Sequence, residues 1–176
     1  APTSDKDFIF CNPPIVSKEG FFRQSAVDAA SRISSKFVKN QIQTLIFARS
    51  RKSCELLVQY LRDSYGHLFE KDKIQGYRGG YLPKERRNIE KGLRSGEILG
   101  VAATNALELG IDIGRLDVVV MAGYPGSIAS TWQQAGRAGR RHGQSAAILV
   151  AGGSPVDQFI INNPEYFFEQ ASEHAL

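Results

Sequence analysis

Residues 133–141 read QQAGRAGRR, with Arg137, Arg140 and Arg141 set among small residues behind Gln133 and Gln134. Guanidinium forks pair bidentately with phosphate oxygens, so the stretch suits phosphate chemistry. Gly136 and Gly139 would let a large group approach the backbone. Arginines three apart on a helix or its edge share one face, and the small residues between them keep that face open. A basic surface helix is the rival reading. It has no use for glycines, each of which weakens a helix by roughly 1 kcal/mol.

Three further stretches carry donors and acceptors. LIFARSRKSCE places Arg49, Ser50 and Arg51 between a strand and a helix. A hydroxyl and free N–H groups at a helix start can hold a phosphate, or Ser50 can be a plain N-cap beside solvated arginines. YRGGYLPKERR offers Arg78 for a phosphate and Tyr77 or Tyr81 for stacking on a base, with Gly79 and Gly80 allowing close approach. An ordinary glycine-rich turn accounts for it equally. VAATNALELGIDI puts Thr104 and Asn105 just past a strand, followed by Gly110 and Asp112. A carboxylate there can accept from a ribose hydroxyl, or it is solvated beside a helix-ending glycine.

These stretches need elements to position them. Apolar residues at 26, 27, 30, 33 and 37 predict a helix over 23–39, and Cys54, Leu57, Val58 and Leu61 predict another over 51–63. Pro83 suits the first turn of a helix reaching about Leu93. Ser127 can cap a helix through Ala135, and Ser154 with Pro155 opens a last one. Strands are expected at 8–10, 44–48, 73–77, 98–103, 116–122 and 146–151. That alternation argues for an α/β fold, a parallel sheet with helices on both faces and right-handed crossovers. Ligands of such sheets sit at the carboxyl ends of the strands. Loops 48–52, 77–81, 103–112 and 123–127, with the helix carrying 133–141, are expected to gather there.

Composition sets outer bounds. The 176 residues fit one domain, and 22 Lys+Arg against 18 Asp+Glu give a net charge of +4. That excess is compatible with a polyanion without demanding one. Two cysteines, Cys11 and Cys54, are too few for a zinc site and read as reduced, partly buried thiols of an intracellular protein, cytoplasmic in a bacterium or nuclear in a eukaryote. No apolar run approaches a membrane span, and no metal site is expected. The polar start APTSDKD lacks a Met and the end SEHAL looks arbitrary, so the chain is expected to be a fragment of a longer polypeptide.

In order and spacing, the four stretches resemble motifs IV, IVa, V and VI of superfamily 2 helicases. ATNALELGIDI looks like motif V, and QQAGRAGR fits the motif VI pattern Q-x-x-G-R-x-G-R. The resemblance spans nearly the whole chain as a second, C-terminal RecA-like domain over 1–176. It includes a lead-in at 1–22 and a helical extension at 154–176. NPP at 12–14, RQSAVDAA, FARSR and DQFIINNPEYFFE look most like the YprA/MrfA and Hrq group of DNA repair helicases.

The resemblance implies the C-terminal motor half of an ATP-dependent DNA helicase or translocase. Arg137 and Arg140 match the arginines that reach the ATP γ-phosphate, one of them as arginine finger. Gln133, Gly110 and Asp112 match nucleotide-side positions. Ser50, Gly80 and Thr104 match positions that hold the nucleic-acid backbone, with Arg51, Arg78 and Asn105 beside them. Arg141 carries no implied role. Motif IVa reads Tyr77-Arg78-Gly79-Gly80 where many relatives have His-Gly, and motif VI opens Gln133-Gln134 rather than His-Arg, which argues against DEAD-box RNA helicases. No G-x-x-x-x-G-K-[ST] and no Asp-Glu pair after a strand occurs, so ATP and Mg²⁺ are expected to be held mainly by a first RecA-like domain. The chain alone is expected to be inactive as an ATPase. The implied partners are that domain and DNA, single-stranded by preference. An RNA helicase half and a non-enzymatic nucleic-acid-binding module are the alternatives.

Overall fold

A computed structural model describes residues 6–17, 19–20, 22–65, 71–78, 80–106, 113–139 and 143–174. Six strands form one sheet: β1 (Lys6–Cys11), β2 (Thr44–Ala48), β3 (Ile74–Gly76), β4 (Gly100–Ala103), β5 (Val118–Ala122) and β6 (Ser145–Val150). Their order is β1-β6-β5-β2-β4-β3, and every pair is parallel. Parallel pairing needs long crossovers, which the helices supply. These are α1 (Ala26–Lys39), α2 (Arg51–Tyr65), α3 (Pro83–Ser95), α4 (Ile128–Ala135), α5 (Pro155–Asn162) and α6 (Pro164–His174).

Alternation along the central strands sorts the core into two layers. Ile46, Ala102 and Val120 face α1 and α2, where Leu57 and Leu61 are fully buried. Phe47, Val101, Val119 and Met121 face the other side, covered by Leu93 of α3, Ala135 of α4 and Phe167 of α6. TLIFA of β2 and VVVMA of β5 are buried at every position, as strands covered on both faces must be. Phe8 and Phe10 of β1 pack their rings on Phe167 and Phe168, and Phe8 also meets Trp132, so α4 and α6 are fixed over the edge strand.

The expected elements are present with shifted ends. β5 begins at Val118 rather than 116, and β4 at Gly100 rather than 98. Ile98 and Leu99 are buried without being strand. Buried apolar residues leading into a strand look like strand in a sequence. The last helix is two, divided at Asn163–Pro164, because Pro164 cannot donate the backbone bond that would continue α5.

Candidate nucleic-acid and nucleotide surfaces

The carboxyl ends of β2, β3, β4 and β5 lie side by side, and four of the singled-out loops follow them. Ser50 caps α2: its Oγ accepts from the Ser53 N–H at 3.1 Å, and it remains exposed, as does Arg51. The cap reading is therefore correct, and Ser50 directly precedes Arg51, which lines a 520 Å³ cavity. Arg51, Glu55, Arg62, Arg78, Tyr81 and Thr104 are among its walls. Arg78 forms an ion pair with Glu55, and both side chains are substantially exposed. Exposed pairs of this kind hold about 0–1 kcal/mol, so a phosphate can take the guanidinium from Glu55. Gly80 is exposed with open space around it, and Asn105 is exposed beside Thr104.

Tyr77 does not serve as a stacking surface. Its ring is buried, and its hydroxyl donates to Glu90 Oε1 at 3.0 Å while accepting from Arg86 Nε at 3.0 Å. A sequence shows Tyr77 and Tyr81 as equals. Tyr77 directly follows the edge strand β3 and points inward, leaving Tyr81 as the half-buried aromatic at the cavity.

QQAGRAGRR does not join this gathering as a whole. α4 is capped by Ser127, just past the carboxyl end of β5, and runs back toward the opposite margin. There the Lys6 ammonium, at the first residue of β1, donates to the Ala135 carbonyl at 3.1 Å. A cation at a helix carboxyl terminus is favourable. Burial and neighbouring Arg115 push the Lys6 pKa down. Beyond Gly136 the chain leaves the helix. Leu116 N–H donates to Arg137 O at 2.9 Å and Gly139 N–H donates to Leu116 O at 3.0 Å, adding a short parallel bridge before β5.

Arg137 thus sits in the turn that ends α4, one residue before the Leu116–Ala138 bridge. Its guanidinium is half-buried and reaches the Ala106 carbonyl at 3.5 Å, the limit of a hydrogen bond. Among the described residues no carboxylate forms a salt bridge with it. The space over Gly139 is filled by Arg115 and Lys6, and its φ of +140° explains glycine there better than room for a ligand does. Gln133 is exposed on α4. Gly110, Asp112, Arg140, Arg141 and Gly79 lie outside the described residues.

Residues 27–142 match the family model described as helicase conserved C-terminal domain. The chain belongs to that helicase family. Its α/β sheet is the RecA-like sheet of helicase C-terminal domains. The ATP-dependent helicase YprA of Bacillus subtilis, itself named as uncharacterized, is 55% identical over 175 residues, covering 99% of this chain and 23% of YprA. The ATP-dependent helicase hrq1 of Schizosaccharomyces pombe is 42% identical over 169 residues, 93% of this chain and 16% of hrq1. A crystal structure of the helicase MrfA bound to DNA superposes with a TM-score of 0.91 at 56% identity, over 96% of this chain and 23% of MrfA. A second MrfA structure, with DNA and AMPPNP, gives 0.89 over the same shares. The resemblance to the YprA/MrfA and Hrq group therefore holds. The helicase domain spans about a quarter or less of the length of these relatives.

The helicase domain also holds a buried carboxylate that the sequence did not single out. Asp157 is 3% exposed, and its carboxylate accepts from Gly152 N–H at 2.7 Å, Tyr124 N–H at 3.0 Å and Ser154 Oγ at 2.9 Å. It ties the loops after β5 and β6 to the start of α5. The spacing S-P-V-D, a capping serine with an acid three residues on, was the signal available for it. Arg49 and Gln134 face a second cavity of 170 Å³. Among the described residues no group of three His, Cys, Asp or Glu could hold a metal ion. No described helix is long and apolar enough to cross a membrane. Both cysteines are free thiols; burial pushes that of Cys11 up.

Proposed function

We propose that this domain is the C-terminal motor half of an ATP-dependent DNA helicase or translocase acting in DNA repair. It is the second RecA-like domain of a longer polypeptide, including the lead-in at 1–22 and the helical extension at 154–176. One observation carries the reading. The motif residues divide between two regions, with backbone-gripping candidates around the carboxyl-edge cavity and Arg137 outside its walls, in the turn whose backbone is bonded to Leu116. A motor needs that division, because nucleotide and strand must be held at once by different surfaces.

On the carboxyl edge Ser50, Arg51, Arg78, Gly80, Thr104 and Asn105 hold the phosphates of a single strand. Contacts to the backbone give weak sequence preference and an affinity that falls steeply with salt. At the margin Arg137 and Arg140 face the γ-phosphate of ATP held with Mg²⁺ by the first RecA-like domain, and Gln133, Gly110 and Asp112 lie on the nucleotide side. ATP supplies the phosphoryl bond whose cleavage drives the cycle. Arg137 and Arg140 stabilise charge on the transferring group. A guanidinium whose described partner is one distant carbonyl fits this role, since its donors are not committed to a carboxylate among the described residues. The names of YprA and hrq1 as ATP-dependent helicases, and the MrfA structures with DNA and AMPPNP, support the same reading.

ATP hydrolysis by the full-length protein, titrated with single-stranded DNA and with RNA of equal length and sequence, tests it. Stimulation by DNA, and none from residues 1–176 alone, is expected. Stimulation by RNA only would assign the motor to RNA. Hydrolysis by neither, with binding retained, would make the protein a binding module.

A further inference from the structure

Helix α3 begins at Pro83, two residues past Tyr81, and carries Lys84, Arg87, Lys91 and Arg94. Their spacing of three and four residues puts all four on one face, about 15 Å long at 1.5 Å per residue. All four are exposed, and the other residues of that face, Asn88 and Ser95, carry no charge. The acids of α3 point elsewhere: Glu90 accepts the Tyr77 hydroxyl, and Glu85 lines a 380 Å³ cavity on the flank of the helix with Tyr81. Lys84, Arg87 and Lys91 form no salt bridge among the described residues. Like charges three or four apart weaken a helix, and exposed helices ordinarily interleave the two signs. A local rule broken at the surface, with nothing nearby to offset it, marks a functional face. The packing fixes which way that face points. Ile89 and Leu93 are buried behind it, and a Cβ at Gly92 would lie 2.6 Å from Ile98 Cδ1.

We propose that this face of α3 holds the phosphates of a DNA duplex flanking the single strand, a contact separate from the strand-end loops. Position supports it. Tyr81 lines both the 520 Å³ cavity and the cavity beside α3, so the row of cations starts where the strand is held. From there it runs away from the carboxyl edge toward the start of β4. Chemistry separates duplex from strand. Single strands are held by cations together with aromatic rings on which the bases stack. The α3 face has no ring. Bare cations on a rigid rod suit a duplex, which sets one charge in each ~1.7 Å of its length and keeps its bases stacked inside. The proposal rests on the reading of the carboxyl edge as the strand-binding surface. It adds the part of the DNA which that reading leaves out, and makes the junction of single strand and duplex the preferred ligand.

The test is fluorescence anisotropy of the full-length protein across a salt series, with a short single strand and with the same strand extended by a duplex at either end. The wild type should bind one of the extended DNAs more tightly than the bare strand. Joint replacement Lys84→Gln, Arg87→Gln and Lys91→Gln should abolish that gain. On the extended DNA it should lower the salt slope by about 2.7, three phosphate contacts at about 0.9 each. Between 50 and 200 mM salt the wild type should then lose roughly fortyfold more affinity than the variant. Affinity for the bare strand, and kcat of strand-stimulated ATP hydrolysis, should stay within about twofold. Glutamine keeps helix propensity and removes the like-charge neighbours, so the melting temperature should not fall. Arg87→Gln alone should lower the slope by about 0.9, and Lys84→Arg with Lys91→Arg should keep the gain. Equal losses on the bare and the extended DNA would make the face part of the strand grip and overturn the proposal. Unchanged affinity for both would leave it a solvated face or a surface for an acidic protein, and overturn it with the carboxyl-edge reading intact. A wild type that does not bind the bare strand overturns both.

Discussion

Arg137→Ala in the full-length protein is expected to lower kcat for ATP by about 10³–10⁵, the range seen when a finger is absent from phosphoryl transfer. The guanidinium acts on charge that grows as the bond to the γ-phosphate breaks, so the loss falls on kcat more than on KM. Single-stranded DNA affinity without nucleotide should stay within about twofold, because Arg137 is bonded to Leu116 through its backbone and lines neither carboxyl-edge cavity. Arg137→Lys should recover little, since an ammonium cannot form the fork. Steady-state hydrolysis and equilibrium DNA binding on one preparation check both halves. Abolished DNA binding with hydrolysis intact would reverse the assignment.

The largest loss of stability is expected at Asp157. Its carboxylate is buried and accepts from two backbone N–H groups and a hydroxyl. Asp157→Ala leaves the N–H groups of Tyr124 and Gly152 unpaired at about 1–3 kcal/mol each and removes the support of the α5 cap. A total near 3–5 kcal/mol corresponds to a fall in Tm of roughly 6–20 °C for a domain of this size. Asp157→Asn keeps the shape and one acceptor oxygen and should lose about half as much. Calorimetry of the isolated domain measures it. An unchanged Tm for Asp157→Ala would show that the two loops hold themselves.

The sheet was legible because its strands are buried on both faces. TLIFA and VVVMA have no exposed side to disguise them, and α1 and α2 show their inward stripe at helical spacing. The strand-end loops were legible because donors follow each strand within a few residues. Direction was not. Nothing in QQAGRAGRR says that α4 runs from one margin of the sheet toward the other, so that Gln134 stays by the strand-end loops while the Arg137 backbone is bonded to Leu116. Of the arginines expected to share a face on a helix or its edge, Arg137 is the one described; the helix ends at Ala135 and Arg137 lies in the turn before the bridge at Ala138. Tyr77 fails because its role depends on which neighbour covers the side chain, and a tyrosine reads the same buried or exposed.

Hydrogen exchange on the full-length protein tests the division into two surfaces most directly. Single-stranded DNA alone should protect 49–53, 78–80 and 104–105 and leave 115–116 and 137–139 at their free rates. A non-hydrolysable ATP analogue alone should protect 137–139. Protection of 137–139 by DNA alone, with 49–53 and 104–105 unchanged, would contradict the account.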